Sequence, residues 1–172
     1  MDEVSLLIDL VSSNWSSSAT TLQSAGTITA DHVAIPNFVD VRTLQKNKGV
    51  RYDLTAKDVI IFFEDSQSLE YPTTNFDVRN ETYNMTLHIR CIQDERQQGF
   101  ENFGRDRLNS LYRITRYIIE SNRKGSTITH NDESKRFDLI TFGTRSESND
   151  RNKRLFGYKI NLTMKRFAIS IP

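Results

Sequence analysis

Residues 81 to 92 run Glu81-Thr82-Tyr83-Asn84-Met85-Thr86-Leu87-His88-Ile89-Arg90-Cys91-Ile92, and apolar side chains alternate with polar ones throughout. A period of two is typical of a β-strand that has one face in the core and the other in solvent. A long segment with helical periodicity follows after a few polar residues. We expect the core-facing side chains of the strand to be Tyr83, Met85, Leu87, Ile89 and Cys91.

Three further elements are predicted on the N-terminal side of this strand. The run Asp58–Glu64 is almost entirely apolar between charged ends, which is typical of a strand buried on both faces. Residues 32–42 predict a short strand around Pro36. Residues 2–13 predict a short helix, because apolar side chains recur there at helical spacing: Val4, Leu7, Ile8 and Val11.

The segment that follows the alternating strand predicts the longest helix, with Asp94 as its N-cap and Gly125 as its C-terminal stop. Its apolar stripe is formed by Phe100, Phe103, Leu111, Ile114 and Ile118. At 100° per residue Arg107 falls inside this apolar sector, which marks it as a candidate contact with a neighbouring molecule. The opposite side forms a basic face of Arg105, Arg113, Arg116 and Arg123.

Two final strands are predicted, Phe137–Thr144 and Leu155–Ile171. In the last strand the apolar side chains change phase after Met164. A one-residue change of phase moves side chains to the opposite face, so we expect either a bulge near Lys165-Arg166 or six terminal residues that leave the sheet. The candidate assembly interface comprises Arg107, Arg145, Arg151, Lys153, Arg154, Phe167, Ile169 and Ile171.

These elements predict an α+β fold, with a mixed, mainly antiparallel β-sheet and with a long helix and a short N-terminal helix packed on one face. At 172 residues the chain fits one domain, 1–172. Long polar loops are expected near 12–31, 43–57, 65–80 and 145–154.

Composition excludes several classes of protein. No apolar run approaches the ~18–20 residues of a membrane span, and the acidic start at Met1-Asp2-Glu3 lacks the basic region of a signal peptide. We therefore expect a soluble protein that has no membrane partner. The formal charge is +1, so the chain lacks the overall positive field of nonspecific nucleic-acid binders.

No catalytic constellation is visible in the sequence. Nucleophile elbows and phosphate-binding glycine loops are absent, and Cys91 is the sole cysteine. We expect no enzymatic activity, no metal and no cofactor. A metal-dependent enzyme built around His32, His88 and His130 is a weaker alternative, because these histidines are far apart in the sequence and lack ligand spacing.

The basic face of the long helix raises a second alternative, a nucleic-acid-binding module. Acidic side chains are interleaved with its arginines, at Glu101, Asp106 and Glu120. Such mixing favours a solvated, salt-bridged surface over a phosphate-binding one. Arginine is also common in protein–protein interfaces.

The order of elements resembles the tail terminator (tail completion) proteins of long-tailed bacterial and archaeal viruses. The resemblance covers most of the chain. It includes the N-terminal helix, the strands 58–64 and 81–92, and the passage through Gln93-Asp94-Glu95-Arg96 into the long helix. It also includes the final strand pair, joined by Ser146–Arg154.

This resemblance implies a structural virion protein, assembled in the host cytoplasm and located in the tail or neck. Six copies would form a homohexameric ring that caps the tail tube, ends its polymerisation and joins the tail to the head–neck proteins. The implied partners are further copies of the chain, the tail tube protein and a neck or connector protein, with DNA crossing the lumen transiently. Another neck or head–tail connector protein is the alternative within this class.

Overall fold

Six strands form one sheet in the computed structural model, which describes residues 3–29, 34–40, 58–70, 78–92, 103–130, 133–149 and 155–169. Two helices accompany the sheet, α1 (Glu3–Ser24) and α2 (Phe103–Ser121). The strands are β1 (Asn37–Asp40), β2 (Asp58–Glu70), β3 (Val78–Ile92), β4 (Lys124–His130), β5 (Glu133–Glu147) and β6 (Leu155–Ile169).

The strands lie in the order β1-β2-β3-β6-β5-β4. β1 and β2 are parallel, and every other neighbouring pair is antiparallel. The predicted α+β class with a mixed, mainly antiparallel sheet is confirmed. The three strands β2, β3 and β6 were predicted from their sequence periodicity, since the apolar run of β2 is typical of a strand buried on both faces and the alternation of β3 and β6 is typical of half-buried strands.

One buried cluster holds the apolar side chains of both helices together with one face of the sheet. All five apolar positions predicted for β3 belong to this cluster, as do alternate residues of β6 such as Ile160 and Leu162. A smaller cluster of Val39, Val59 and Ile61 lies on the other face. β2 is therefore buried on both faces along its apolar run, as expected.

α1 is 22 residues long, so the prediction of a short helix followed by a loop from residue 12 is wrong. The helical spacing of buried residues continues past Val11 through Trp15 and Ala19. The hydroxyls of Thr20 and Thr21 donate to carbonyls one turn earlier, at 2.9 Å each. Burial of Trp15 and Ala19 offsets the weak helix propensity of the Ser/Thr-rich segment, while the i−4 bonds satisfy the threonine hydroxyls.

The end of α1 is a Schellman motif. The N–H of Thr27 donates to the carbonyl of Leu22, and the N–H of Gly26 donates to that of Gln23, both at 2.9 Å. Gly26 has φ 68°, a left-handed conformation that glycine adopts without steric cost.

α2 ends at Ser121, and a strand that was not predicted, β4, begins at Lys124. Gly125 is therefore a strand residue, and its assignment as a helix stop is wrong. The two segments are joined by a turn in which the N–H of Asn122 donates to the carbonyls of Ile118 and Ile119 at 3.2 Å. The predicted N-cap Asp94 and the apolar Phe100 lie outside the described residues.

Two predicted loops are partly strand. β2 continues to Glu70 and β3 begins at Val78, so only residues 71–77 of the predicted loop 65–80 fall outside both strands. β5 continues to Glu147, which shortens the predicted loop 145–154. Side chains such as Gln67 and Ser68 are exposed in this part of β2, and the sequence therefore carries no apolar alternation there. The predicted loop 43–57 lies outside the described residues.

The bulge predicted near Lys165-Arg166 is not present. β6 pairs with β3 in unbroken register from Leu155 to Ile169, so these residues stay in the sheet and Phe167 lies on the face opposite the helices. The irregularity is in β5, which has one more residue than β6 between Phe142 and Arg145. Beside it, a Cβ on Gly143 would lie 2.8 Å from the carbonyl oxygen of Asn161.

Candidate assembly surfaces

Arg107 lies inside the fold. Its side chain is 5% exposed, its Nε donates to Asp58 Oδ2 at 2.8 Å, and its Nη2 donates to the carbonyl of Ala34 at 2.8 Å. A polar residue in the apolar stripe of α2 is therefore explained by partners in the same chain. Arg107 connects the first turns of α2 to the start of β2 and to the segment before β1, and it is not an exposed interface residue.

Asp58 also accepts a hydrogen bond from a thiol. The Sγ of Cys91 donates to Asp58 Oδ1 at 2.7 Å, and Cys91 is 1% exposed. Burial raises the pKa of this thiol far above its usual value, and the Asp58 carboxylate raises it further. Cys91 is therefore a buried hydrogen-bond donor without thiolate reactivity.

A second buried carboxylate lies at the other end of the same face of the sheet. Glu81 is 2% exposed, pairs with Arg79 at 2.7 Å and with Arg166, and accepts a hydrogen bond from the hydroxyl of Tyr83 at 2.8 Å. Burial and this hydrogen bond raise the pKa of Tyr83. The sequence gives no warning of this cluster, because Glu81 and Arg166 meet only through the β3–β6 register.

Two large apolar side chains are exposed beside this cluster. Leu69 on β2 is 49% exposed and Phe167 on β6 is 58% exposed. Leu69 is opposite Glu81 and shares its face, whereas Phe167 is opposite Asn80 and shares the other face. We call residues 66–70, 78–82 and 165–169 the hairpin end. Its backbone is held in place by a bond from the N–H of Phe167 to Asp138 Oδ2, at 2.7 Å.

Arg145 has aromatic partners within the chain. Its guanidinium carbon lies 4.7 Å from the ring centroid of Tyr112 and 4.4 Å from that of Tyr158, distances at which cation–π attraction operates. The hydroxyl of Tyr158 donates to Asn109 at 2.6 Å. Arg145 remains exposed, so this stacked arrangement is accessible from the surface.

Two arginines of the predicted basic face are already engaged. Arg116 pairs with Glu120 at 2.8 Å, and the pKa of Arg116 is raised by this carboxylate. Arg113 donates to the carbonyl of Thr27 at 2.6 Å. Arg105 and Arg123 are exposed. Within the basic face, Arg113 thus contacts the segment that follows α1, and Arg116 forms a surface ion pair.

The face of the sheet opposite the helices is polar over most of its width, and we call it the open face. Neither described helix contributes to the small apolar cluster found there. On β3 and β6 the open face carries Thr82, Asn84, Thr86, His88, Arg90, Lys159, Asn161, Thr163 and Lys165. Hydrogen bonds cross it from Thr163 to Asn84 at 3.2 Å and from Asn84 to Ser66 at 3.1 Å.

Of the histidines, His88 and His130 lie on described strands and are far apart. His88 is on β3 and stacks on Phe63 with ring centroids 4.7 Å apart, and burial lowers its pKa, as do Arg90 and Lys159. His130 is on β4, about 40 Å away along the sheet at ~3.3 Å per residue. Within the described residues no three His, Cys, Asp or Glu side chains are grouped for a metal ion. His32 lies outside them.

The remaining members of the candidate interface are at the end of β6 or outside the described residues. Arg151, Lys153, Arg154 and Ile171 lie outside the described residues, and Ile169 is the last residue of β6. Of the predicted set, Arg107 is buried, Arg145 is stacked on tyrosines, and Phe167 is an exposed apolar side chain. The cluster at Glu81 and the carboxylate of Asp58 were missed, since each depends on residues that are distant in the sequence.

No protein-family model matches the sequence, and a search of curated proteins found no match either. Neither described helix combines the length and the apolar character needed to cross a bilayer.

Proposed function

We propose that the chain is a structural virion protein that forms a ring, caps the tail tube, ends its polymerisation and joins the tail to the head–neck proteins. The observation that carries the proposal is the hairpin end. There a large apolar side chain is exposed on each face of the sheet, with Leu69 on one side and Phe167 on the other. In the proposed ring each of these side chains would be covered by a neighbouring subunit, one on either face of the sheet.

The hairpin end is suited to rigid contact. Glu81 of β3 pairs with Arg166 of β6, Gln67 of β2 donates to the hydroxyl of Tyr83 on β3 at 3.3 Å, and Asp138 accepts a bond from the backbone N–H of Phe167. A preorganised surface loses little conformational entropy on association. Burying a phenylalanine side chain contributes about 1.5–3 kcal/mol, so one residue per subunit interface gives a measurable share of the assembly free energy.

A closed ring needs two different patches on each subunit. The sheet has two unlike edges, because the four-residue β1 lies at one edge and the seven-residue β4 at the other. In the described part of the chain, neither edge strand pairs with a second strand. The subunit that covers the hairpin end of its neighbour can use one of its edge strands, β1 or β4, for its side of this contact.

The proposal is tested by measuring the mass of the purified full-length chain over a range of concentrations and by imaging the particles after negative staining. We expect ring-shaped particles, six subunits in number, in exchange with monomers. Phe167→Ser should weaken association by about tenfold or more, which corresponds to about 1.4 kcal/mol. The matched control is Tyr117→Ser, which removes another exposed aromatic side chain, 38% exposed, from α2, and it should leave association unchanged.

Addition of polymerising tail tube protein separates the terminator from the alternative, a neck or connector protein. A terminator binds tube ends and limits tube length, whereas a connector binds neck proteins and leaves tube length unchanged. A chain that stays monomeric at every concentration and does not bind tube ends would rule out the proposed function.

A further inference from the structure

Arg145 is an exposed cation that two aromatic rings hold in place. Its guanidinium carbon lies over the rings of both Tyr112 and Tyr158, and these rings pack edge to face with centroids 5.6 Å apart. Tyr158 is 5% exposed, and its position is fixed by the hydroxyl bond to Asn109. A stacked, planar guanidinium loses little side-chain entropy when it binds a partner.

The extra residue of β5 places Arg145 over these rings. Phe142 is opposite Leu162 and Arg145 is opposite Ile160, so both lie on the helix side although two residues separate them. Bulges of this kind re-aim a side chain. The described pairing of β4 with β5 ends at Leu139, and the later residues of β5 have β6 on one side and no described strand on the other. Because Arg145 is also exposed, a partner can reach it from this edge.

The hydrogen-bond donors of this guanidinium are unused in the described part of the chain, where no oxygen accepts a bond from Arg145. Glu147 shares the helix side with Arg145, but its carboxylate accepts a bond from Asn149 at 3.1 Å instead. A guanidinium with free N–H groups matches a carboxylate, because the two oxygens can accept a pair of parallel hydrogen bonds. The site is therefore complementary to a carboxylate from outside the subunit.

Glu70 at the hairpin end carries such a carboxylate. It is exposed, it forms no hydrogen bond or ion pair with another described side chain, and it follows the exposed Leu69 directly. Glu70 cannot reach Arg145 of its own subunit. The register places Glu70 level with Phe167 and Arg145 level with Ile160 of β6, a separation of about 23 Å at ~3.3 Å per residue. In addition, β3 and β6 lie between their two strands.

We propose that Glu70 of one subunit pairs with Arg145 of the next, so that the hairpin end of one copy docks beside the free edge of β5 on its neighbour. The inference rests on the proposed ring and names the two unlike patches that a closed ring requires. A second copy is the occupant because one chain carries both halves of the contact, too far apart to meet within it. Leu69 brings apolar surface to the same contact.

The test is a charge reversal, read out by sedimentation of the full chain over a range of concentrations. Arg145→Glu and Glu70→Arg each bring like charges together in the contact, and each should weaken association at least about tenfold. The double variant restores an opposite-charge pair with the two charges exchanged. It should associate at least about fivefold more tightly than either single variant.

The matched control is Arg105→Glu, which makes the same change of charge at another exposed arginine. It should leave association unchanged and should not rescue Glu70→Arg, and circular dichroism should be the same for all variants. Rings that neither charge reversal weakens, or a double variant no tighter than the single ones, would overturn this pairing and leave the proposed ring standing. A wild-type chain that stays monomeric at every concentration would overturn both.

Discussion

The two buried carboxylates of the helix-covered face have similar chemistry and different roles. Asp58 and Glu81 each accept a hydrogen bond from a weak acid, the thiol of Cys91 in one case and the hydroxyl of Tyr83 in the other. They differ in where the paired arginines originate. Arg107 comes from α2, whereas Arg79 and Arg166 come from the sheet itself.

This difference separates two structural functions of a buried ion pair. The Asp58 pair connects a helix to the sheet, so it fixes the relative position of the two layers. The Glu81 cluster connects neighbouring strands where Leu69 and Phe167 are exposed, so it fixes the shape of a surface. In the first pair the arginine is 5% exposed and the carboxylate 15% exposed, while the arginine side chains of the second are 39% and 20% exposed.

The largest effect is expected from Arg107→Leu. The substitution leaves the Asp58 carboxylate buried without its cation and the carbonyl of Ala34 without its donor. Loss of one partner of a buried pair costs about 3–5 kcal/mol. Urea unfolding measures the free energy of unfolding directly. Arg116→Ala is the control, because the Arg116–Glu120 pair is 51% and 45% exposed and contributes about 0.5 kcal/mol or less. A loss below about 1 kcal/mol for Arg107→Leu would mean that the layers do not depend on this pair.

A smaller effect is expected from Glu81→Gln. The amide keeps the shape of the side chain and can still accept a bond from Tyr83. The guanidinium groups of Arg79 and Arg166 are partly exposed and can be solvated when the carboxylate charge is removed. We expect a loss of about 1.5–3 kcal/mol, the contribution of hydrogen bonds to a charged group. A loss equal to that of Arg107→Leu would contradict the distinction between the two clusters.

The smallest effects are expected at alkaline pH, where the two weak acids titrate. The pKa values of Cys91 and Tyr83 are raised in the folded chain from 9.0 and 10.0. The unfolded chain therefore loses these protons first, and stability falls as pH rises, by at most about 1.4 kcal/mol per pH unit for each group. The decline should begin near pH 9 through Cys91 and increase near pH 10 through Tyr83.

Single substitutions assign the two steps. Cys91→Ser keeps a donor for Asp58 and should remove the decline between about pH 9 and pH 10, whereas Tyr83→Phe should reduce the decline above about pH 10. Thermal unfolding at a series of pH values gives the measurement. An alkaline decline that is identical in wild type and in both variants would show that neither acid is responsible.

The sequence predicted those strands in which the spacing of apolar side chains matches their burial in the fold. The alternation in β3 and β6 and the apolar run in β2 each correspond to a strand buried in the expected way. The length of α1 was missed because serine and threonine signal turns locally, while the burial of Trp15 and Ala19 depends on the rest of the fold. Ala25-Gly26 was the signal available for its end.

The polar clusters could not be predicted from the sequence, because they depend on how the strands and helices are placed relative to one another. Arg107 was recognised as anomalous in an apolar stripe, but its partner Asp58 is 49 residues away in the sequence. Likewise, Arg166 meets Glu81 only through the β3–β6 register, 85 residues away in the sequence.

The extra residue of β5 determines which face of the sheet the residues after it occupy. If β5 paired with β6 in one register throughout, Arg145 and Glu147 would lie on the open face and Ser146 on the helix side. With the extra residue, Arg145 lies against Tyr112 and Tyr158, and Glu147 is opposite Tyr158 on the helix side. A change in chain length by a single position thus redistributes charge between the two sides of a sheet without replacing any amino acid. Related chains that differ by one residue in β5 would carry different surfaces on the same fold.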